Sequence, residues 1–324
     1  MNETQPVSHK NVMVSYRGPL TVNQTPQGYE SAKSDGGLVT VLTPIAENIP
    51  NSVWIGSPGI PEQGHIREFA EKAALEKSYG LGYFWLSQDE EKGAKHVYSD
   101  QVLWQAAHGE PQNIVYEPCA FNYYLEANRK AAEAALKELG PSDPVWFHDI
   151  QLMTAPRMMR TMGSNHDIGS YVHAQFPLPE HWGVVPERRE LLYGHLASNL
   201  IGFQTVDDME NFTTNTQAYF KNSRLENTPQ GLTINNQGEK TSVFVDPVGI
   251  DLDEFRNVAN QPQTQERARQ IEQELNGKHE ILVVGRTDVT KAIPAAIRAL
   301  ETVLEKHPEL IDKVHMTILA IPSR

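Results

Sequence analysis

A single cysteine, Cys119, stands among the 324 residues, so no internal disulfide can form and a reducing compartment fits the chain. Its apolar-aromatic neighbours mark it as a core residue rather than a nucleophile. No apolar run approaches the roughly 18–20 residues of a membrane span. Positive charge is short: 28 Lys and Arg face 41 Asp and Glu, a net of −13. That deficit argues against nucleic-acid or anionic-membrane binding, since both need a positive surface, while leaving room for a local basic pocket. The opening Met1-Asn2-Glu3-Thr4-Gln5 is polar and no apolar segment follows, so no signal peptide is expected and the chain reads as soluble and cytoplasmic. No G-x-G-x-x-G, P-loop or G-x-S-x-G occurs; after Tyr79 only Gly80 and Gly82 stand, without a third glycine. A dinucleotide oxidoreductase and an α/β-hydrolase are therefore disfavoured.

What is present is an alternation of short β-rich apolar segments with longer helical patterns, the mark of parallel α/β architecture. Val12–Ser15, Val145–His148, Ile168–His173, Leu200–Gln204, Val243–Pro247, Ile281–Val284 and Val314–Ala320 read as strands. Several are nearly continuous apolar runs, as strands covered on both faces should be. Ala127, Ala131, Ala135 and Leu139 recur every four residues, which predicts a helix over about Tyr124–Leu139 that Gly140 stops. A second helix is expected over about Ala292–Lys306, with Pro294 in its first turn, where a missing N–H costs little. A polar stretch, Asn260–Lys278, separates the two halves, so residues 1–265 are expected to form one α/β domain and 266–324 the opening of another. Two strands and one helix cannot cover their own open edge, and the chain looks cut off inside that second domain.

Chemistry-bearing residues fall at strand ends. In Val284-Gly285-Arg286-Thr287-Asp288-Val289-Thr290-Lys291, a strand meets a helix through a loop carrying two cations. Free backbone N–H groups and the helix dipole suit a phosphate there, and Arg286 with Lys291 could hold a diphosphate. The plain alternative is a solvated loop. Trp146-Phe147-His148-Asp149 places a polar pair at the carboxyl end of a strand, and His173 ends the next, where open parallel sheets put ligand groups. A carboxylate and an imidazole so placed suit hydrogen bonds to sugar hydroxyls or general-base work, or simply close the sheet. A metal set from His148, Asp149, His166, Asp167 and His173 lacks ligand spacing. Gly36-Gly37 precedes a helix and would let backbone approach a ligand closely, though Gly-Gly is more often a turn.

In order along the chain, Ser15-Tyr16-Arg17-Gly18-Pro19, Gly36-Gly37-Leu38, Val53-Trp54-Ile55-Gly56, Val102-Leu103-Trp104, Trp146-Phe147-His148-Asp149-Ile150-Gln151-Leu152, Val172-His173-Ala174-Gln175-Phe176-Pro177, Ile201-Gly202-Phe203-Gln204-Thr205, Pro247-Val248-Gly249-Ile250-Asp251, Gly285-Arg286 with Lys291, and Pro322-Ser323-Arg324 resemble glycosyltransferase family 20, the trehalose-6-phosphate synthase family. The resemblance implies a GT-B fold, two Rossmann-like domains with parallel sheets, acceptor mostly on the first and nucleotide-sugar on the second. It implies retaining, metal-independent transfer of glucose from UDP-glucose to glucose 6-phosphate, with no cofactor and no enzyme nucleophile. Arg17, Trp54, Trp104, Asp149 and Arg324 would line the acceptor site, His173 would touch the donor glucose, Gly36 and Gly37 would sit at the donor phosphates, and Arg286 and Lys291 would hold the diphosphate. A homo-oligomer is left open.

Three departures stand out. Lys95 occupies the position of a family tyrosine, with Tyr98 nearby. Ala174-Gln175 replaces Ile-Pro, and Asp288-Val289-Thr290-Lys291-Ala292 replaces Asp-Tyr-Ser-Lys-Gly. The carboxyl half of the donor domain, with its acidic ribose-holding loop, is missing, so weak donor binding and negligible turnover are expected of the 324 residues by themselves. Glycerol 3-phosphate as acceptor, or a non-catalytic sugar-phosphate-binding role, are the alternatives these departures leave.

Overall fold

A computed structural model describes residues 9–34, 36–62, 64–228 and 231–321. Thirteen strands are described: β1 (Asn11–Arg17), β2 (Leu20–Thr25), β3 (Gly28–Lys33), β4 (Ser52–Ser57), β5 (Gly80–Tyr83), β6 (Val145–His148), β7 (Ile168–Val172), β8 (Leu200–Phe203), β9 (Ser223–Thr228), β10 (Gly231–Asn236), β11 (Glu239–Val245), β12 (His279–Arg286) and β13 (Val314–Ile321). The chain divides into two compact units, one up to Gly249 and one from Ile250.

In the first unit nine strands form one sheet in the order β5-β4-β1-β6-β7-β8-β11-β10-β9. The first seven run parallel, and β10 and β9 close the far side antiparallel. A separate hairpin joins β2 to β3. The apolar run of β1 is buried on both faces, as the sequence pattern requires. Val12, Val14 and Tyr16 face the main core, which the helix Pro118–Glu138 covers with Tyr124, Ala127, Ala131 and Ala135. Met13 faces the other way, into a smaller cluster under the helix Gly37–Asn48.

The long helix starts six residues earlier than the alanine period predicts, because Pro118 begins its first turn, where no N–H is needed. Cys119 follows it and is exposed, contrary to the sequence reading. The buried stripe runs through Ala120, Tyr124 and Ala127, and the residue before Ala120 lies off that stripe.

The chain passes from β1 outward to β4 and β5, then returns to the opposite side of β1 for β6, β7 and β8. The strand order reverses between β1 and β6, and open α/β sheets bind ligands outside the carboxyl ends at such a reversal. Arg17 ends β1, His148 ends β6, and His173 directly follows β7.

In the second unit β12 and β13 pair in parallel along their full lengths. The helices Leu252–Ala259, Pro262–Leu275 and Ile293–Lys306 belong to it. The polar stretch read as a break between halves thus contains a helix, opened by Pro262 and closed by Asn276 in the left-handed conformation. Leu282, Val284, Leu319 and Ile321 remain more than half exposed, so this pair of strands buries little of its apolar surface among the described residues.

Candidate functional site

A close backbone contact between two glycines shapes the carboxyl edge. A Cβ on Gly56 would stand 2.3 Å from the Gly18 amide nitrogen and 2.4 Å from its Cα. Gly56 lies in β4, and the chain leaving β1 crosses directly over it. This crossing sets where the Arg17 side chain starts. The Arg17 guanidinium then pairs with the Glu91 carboxylate at 2.6 Å, while its Nη1 is buried without a partner among the described residues. The Tyr16 hydroxyl donates to the other Glu91 oxygen at 3.1 Å. Burial, and then that carboxylate, push the Tyr16 phenol well up, so it stays a donor at neutral pH. Glu91 carried no motif and was missed from sequence.

Asp149 sits at φ 73°, a backbone region rarely occupied by residues with a side chain. Its amide donates to the Tyr171 carbonyl at 2.7 Å. Its Oδ1 accepts from the amides of His173 at 3.1 Å and Ala174 at 3.0 Å. The carboxylate therefore ties the end of β6 to the turn after β7, and this web holds the strained conformation. General-base work at Oδ1 would compete with those two amides.

His148 Nδ1 lies 3.1 Å from His173 Nε2. His148 is fully buried and its Nε2 has no partner among the described residues. Burial, reinforced by the neighbouring His173, holds the His148 pKa well below its ordinary value. Burial also lowers that of His173, with Asp149 pulling the other way. Both rings are neutral at pH 7.

Gly36 stands at φ 131°, and among the described residues nothing lies within 4 Å of where a Cβ on Gly36 or Gly37 would be. They open the helix Gly37–Asn48, which has no side-chain cap and no acidic residue in its first turn. Its leading amides therefore have no side-chain cap among the described residues, and a helix end of this kind suits an anion.

Trp54 is 0% exposed, and its indole donates to the Ser15 hydroxyl at 2.7 Å within the smaller core cluster. It supports the sheet beneath the helix Gly37–Asn48 and presents no surface to an acceptor, which corrects the expectation that it lines that site. Trp104 is half-buried and packs against His108, ring centroids 3.8 Å apart and the planes tilted by 32°. It follows a π-helical segment, Lys92–Leu103, that abuts the turn after Asp149. In that segment Lys95 pairs with Asp100, and Tyr98 is fully buried, donating to Glu187 at 2.9 Å. Arg324 lies outside the described residues. His166 bonds Ser164 and the Gly140 carbonyl, away from His173. No group of three or more metal-ligating side chains is present among the described residues.

In the second unit Arg286 ends β12 and pairs with Asp288 at 3.1 Å. Asp288 also accepts from the Thr290 amide at 3.0 Å. Burial would raise the Asp288 pKa, but the Thr290 bonds, Arg286 and Lys291 outweigh it and hold it below the ordinary range. The Lys291 stem lies over Gly285, where a Cβ would meet it at 3.0 Å. Both cations therefore start from one ordered turn.

The family model described as glycosyltransferase family 20 matches residues 9–324. An α,α-trehalose-phosphate synthase (UDP-forming) of Pichia angusta is 33% identical over 329 residues, covering 97% of this chain and 67% of its own. One from Aspergillus fumigatus is 34% identical, with 97% of this chain and 60% of its own covered. Among solved structures, a trehalose-6-phosphate protein of E. coli bound with UDP-2-fluoro glucose superposes with a TM-score of 0.80 at 25% identity, over 97% of this chain and 65% of that one. The chain thus spans about two thirds of the length of the relatives it matches.

Proposed function

Because this chain belongs to glycosyltransferase family 20, with the family model matching residues 9–324, we propose that it serves retaining transfer of glucose from UDP-glucose to glucose 6-phosphate, giving trehalose 6-phosphate. The observation that carries the reading is the edge at the β1/β6 reversal, where an arginine, a strained aspartate, a neutral histidine pair and an uncapped helix end are gathered. The fold is the GT-B type of the solved relatives, represented here by the first sheet and the start of a second.

In this reading the unit up to Gly249 is the acceptor-side domain and the unit from Ile250 begins the nucleotide-sugar domain, a boundary earlier than the 1–265 and 266–324 division expected from sequence, because the helix Leu252–Ala259 belongs to the second unit. Arg17, whose side chain stays partly exposed beside Glu91, takes the acceptor phosphate with an N–H that Glu91 leaves free, since a guanidinium can keep one carboxylate and still offer another donor. Trp104 and the second Asp149 oxygen border the acceptor. The Gly36-Gly37 amides and the His173 ring meet the donor, and Arg286 and Lys291 neutralise the diphosphate as it leaves. The wholly buried Trp54 acts by holding up the strand end. No helix is long and apolar enough to cross a membrane among the described residues; the lone cysteine and acidic surface support a cytoplasmic setting. A homo-oligomer is compatible with this reading.

Calorimetric titration of the chain with glucose 6-phosphate tests the acceptor half. Saturable binding that Arg17→Ala removes is expected. Binding unaltered by Arg17→Ala, or seen only with glycerol 3-phosphate, would overturn the assignment.

A further inference from the structure

Two imidazoles that share one hydrogen bond must divide one proton between the two facing nitrogens, and the outer nitrogens record how. Strands β6 and β7 are adjacent and parallel, with His148 opposite Tyr171, so the ring ending one strand meets the ring that follows the other. His148 is sealed: it is fully buried, the Trp146 ring packs 4.4 Å from it, and its Nε2 finds no partner among the described residues. His173 is half-buried, with the Tyr171 ring 4.7 Å away and its own amide held by Asp149.

If His173 donated from Nε2, His148 would carry its proton on the sealed Nε2, leaving a buried N–H with nothing to bond. If His148 donates from Nδ1, the sealed nitrogen is a bare lone pair. Orphaned buried donors are rarer and costlier than under-used acceptors. We infer that His148 is a positioning residue whose Nδ1–H donates to His173 Nε2, fixing His173 as the Nδ1–H tautomer, a neutral donor for a ligand oxygen. His173 then serves as neither a base nor a cation: both of its nitrogens have a set role, one accepting from the protein and one donating to the ligand. Among the described residues, the charged side chain bonded into the pair's surroundings is Asp149, which meets the backbone amide of His173 rather than its ring. Taking the ligand to be the sugar nucleotide rests on the proposed function; the tautomer does not.

The test is long-range ¹H–¹⁵N correlation of the histidine rings in the whole chain at neutral pH, without substrate, with His173→Gln assigning the signal by its loss. A pyrrole-type Nδ1 and a pyridine-type Nε2 on His173 are expected. His148→Phe should turn that single tautomer into a mixture. A protonated Nε2 on His173 in the wild type would overturn the inference, and so would a His148→Phe spectrum that keeps the single Nδ1–H form. If His148→Phe does not fold, the wild-type spectrum still decides. Because no turnover is read, the result stands apart from whether the chain transfers glucose.

Discussion

Negative charge on a leaving diphosphate grows as the glycosidic bond breaks, so a cation against it stabilises the transition state more than the bound donor. In an enzyme with a whole donor domain, rather than in the 324 residues by themselves, Arg286→Ala and Lys291→Ala should therefore each lower turnover by on the order of 10²–10³-fold, the scale of losing one preorganised donor at a developing anion. Arg286→Lys should recover little, because a fork becomes a point charge and the pairing geometry with Asp288 changes too. Losses below about threefold, in steady-state assays of UDP release, would mark both as ordinary surface cations. Next to them Ala292 opens its helix at φ 48°, the left-handed region that penalises a Cβ. A glycine there would relieve that. Ala292→Gly should raise stability by about 1 kcal/mol, read as a higher urea midpoint, and an unchanged midpoint would show that the turn absorbs the strain elsewhere.

At the scale of elements, the crossing of the β1 exit over β4 is the least tolerant point of the edge. Gly56→Ala places a methyl group against the Gly18 backbone, which has no rotamer with which to yield. A loss of roughly 1–3 kcal/mol is expected, together with weakened glucose 6-phosphate binding through a displaced Arg17. A variant that keeps both properties would contradict the view that this contact places Arg17. The contact also shows the limit of sequence reading. The strands β1, β6, β7 and β8 were legible because their apolar runs are buried on both faces. β4 was not among the expected strands, although Val53-Trp54-Ile55 is as apolar as β6, and Trp54 was expected to wall the ligand because tryptophan suits either place. Nothing in the spacing of Arg17 and Glu91, 74 residues apart, announces their pair. Asp149 and His173 were both found by strand-end position, but that Asp149 spends Oδ1 on the chain after β7 is visible only in three dimensions. Cys119 was misplaced for a simpler reason: its neighbours' apolarity was averaged, whereas helical phase decides burial residue by residue.

Over the whole molecule, buried neutral histidines link folding to pH. His148 and His173 are held below their ordinary values by burial, and burial pushes His195 down to about 3. Once unfolded, the same rings take up protons below about pH 6.5. The stability they contribute is complete above that pH and is lost progressively as pH falls, for His195 as far as about 3. Urea midpoints should stay level from pH 8 to 7 and decline between 6.5 and 5, before carboxylates titrate, with a shallower decline in His195→Phe. A flat midpoint across that window would contradict the burial of neutral rings.

In a chain of net charge −13, the proposed glucosyl transfer uses cations that stand at strand ends, Arg17 on β1 and Arg286 on β12. The most direct test supplies the gene product with UDP-glucose labelled with ¹³C at the anomeric carbon, beside glucose 6-phosphate or glycerol 3-phosphate, and follows that carbon by NMR. Retention should give an α,α-1,1-linked disaccharide phosphate, formed with glucose 6-phosphate. Label that leaves UDP only with glycerol 3-phosphate, or that appears in a β linkage, would contradict it.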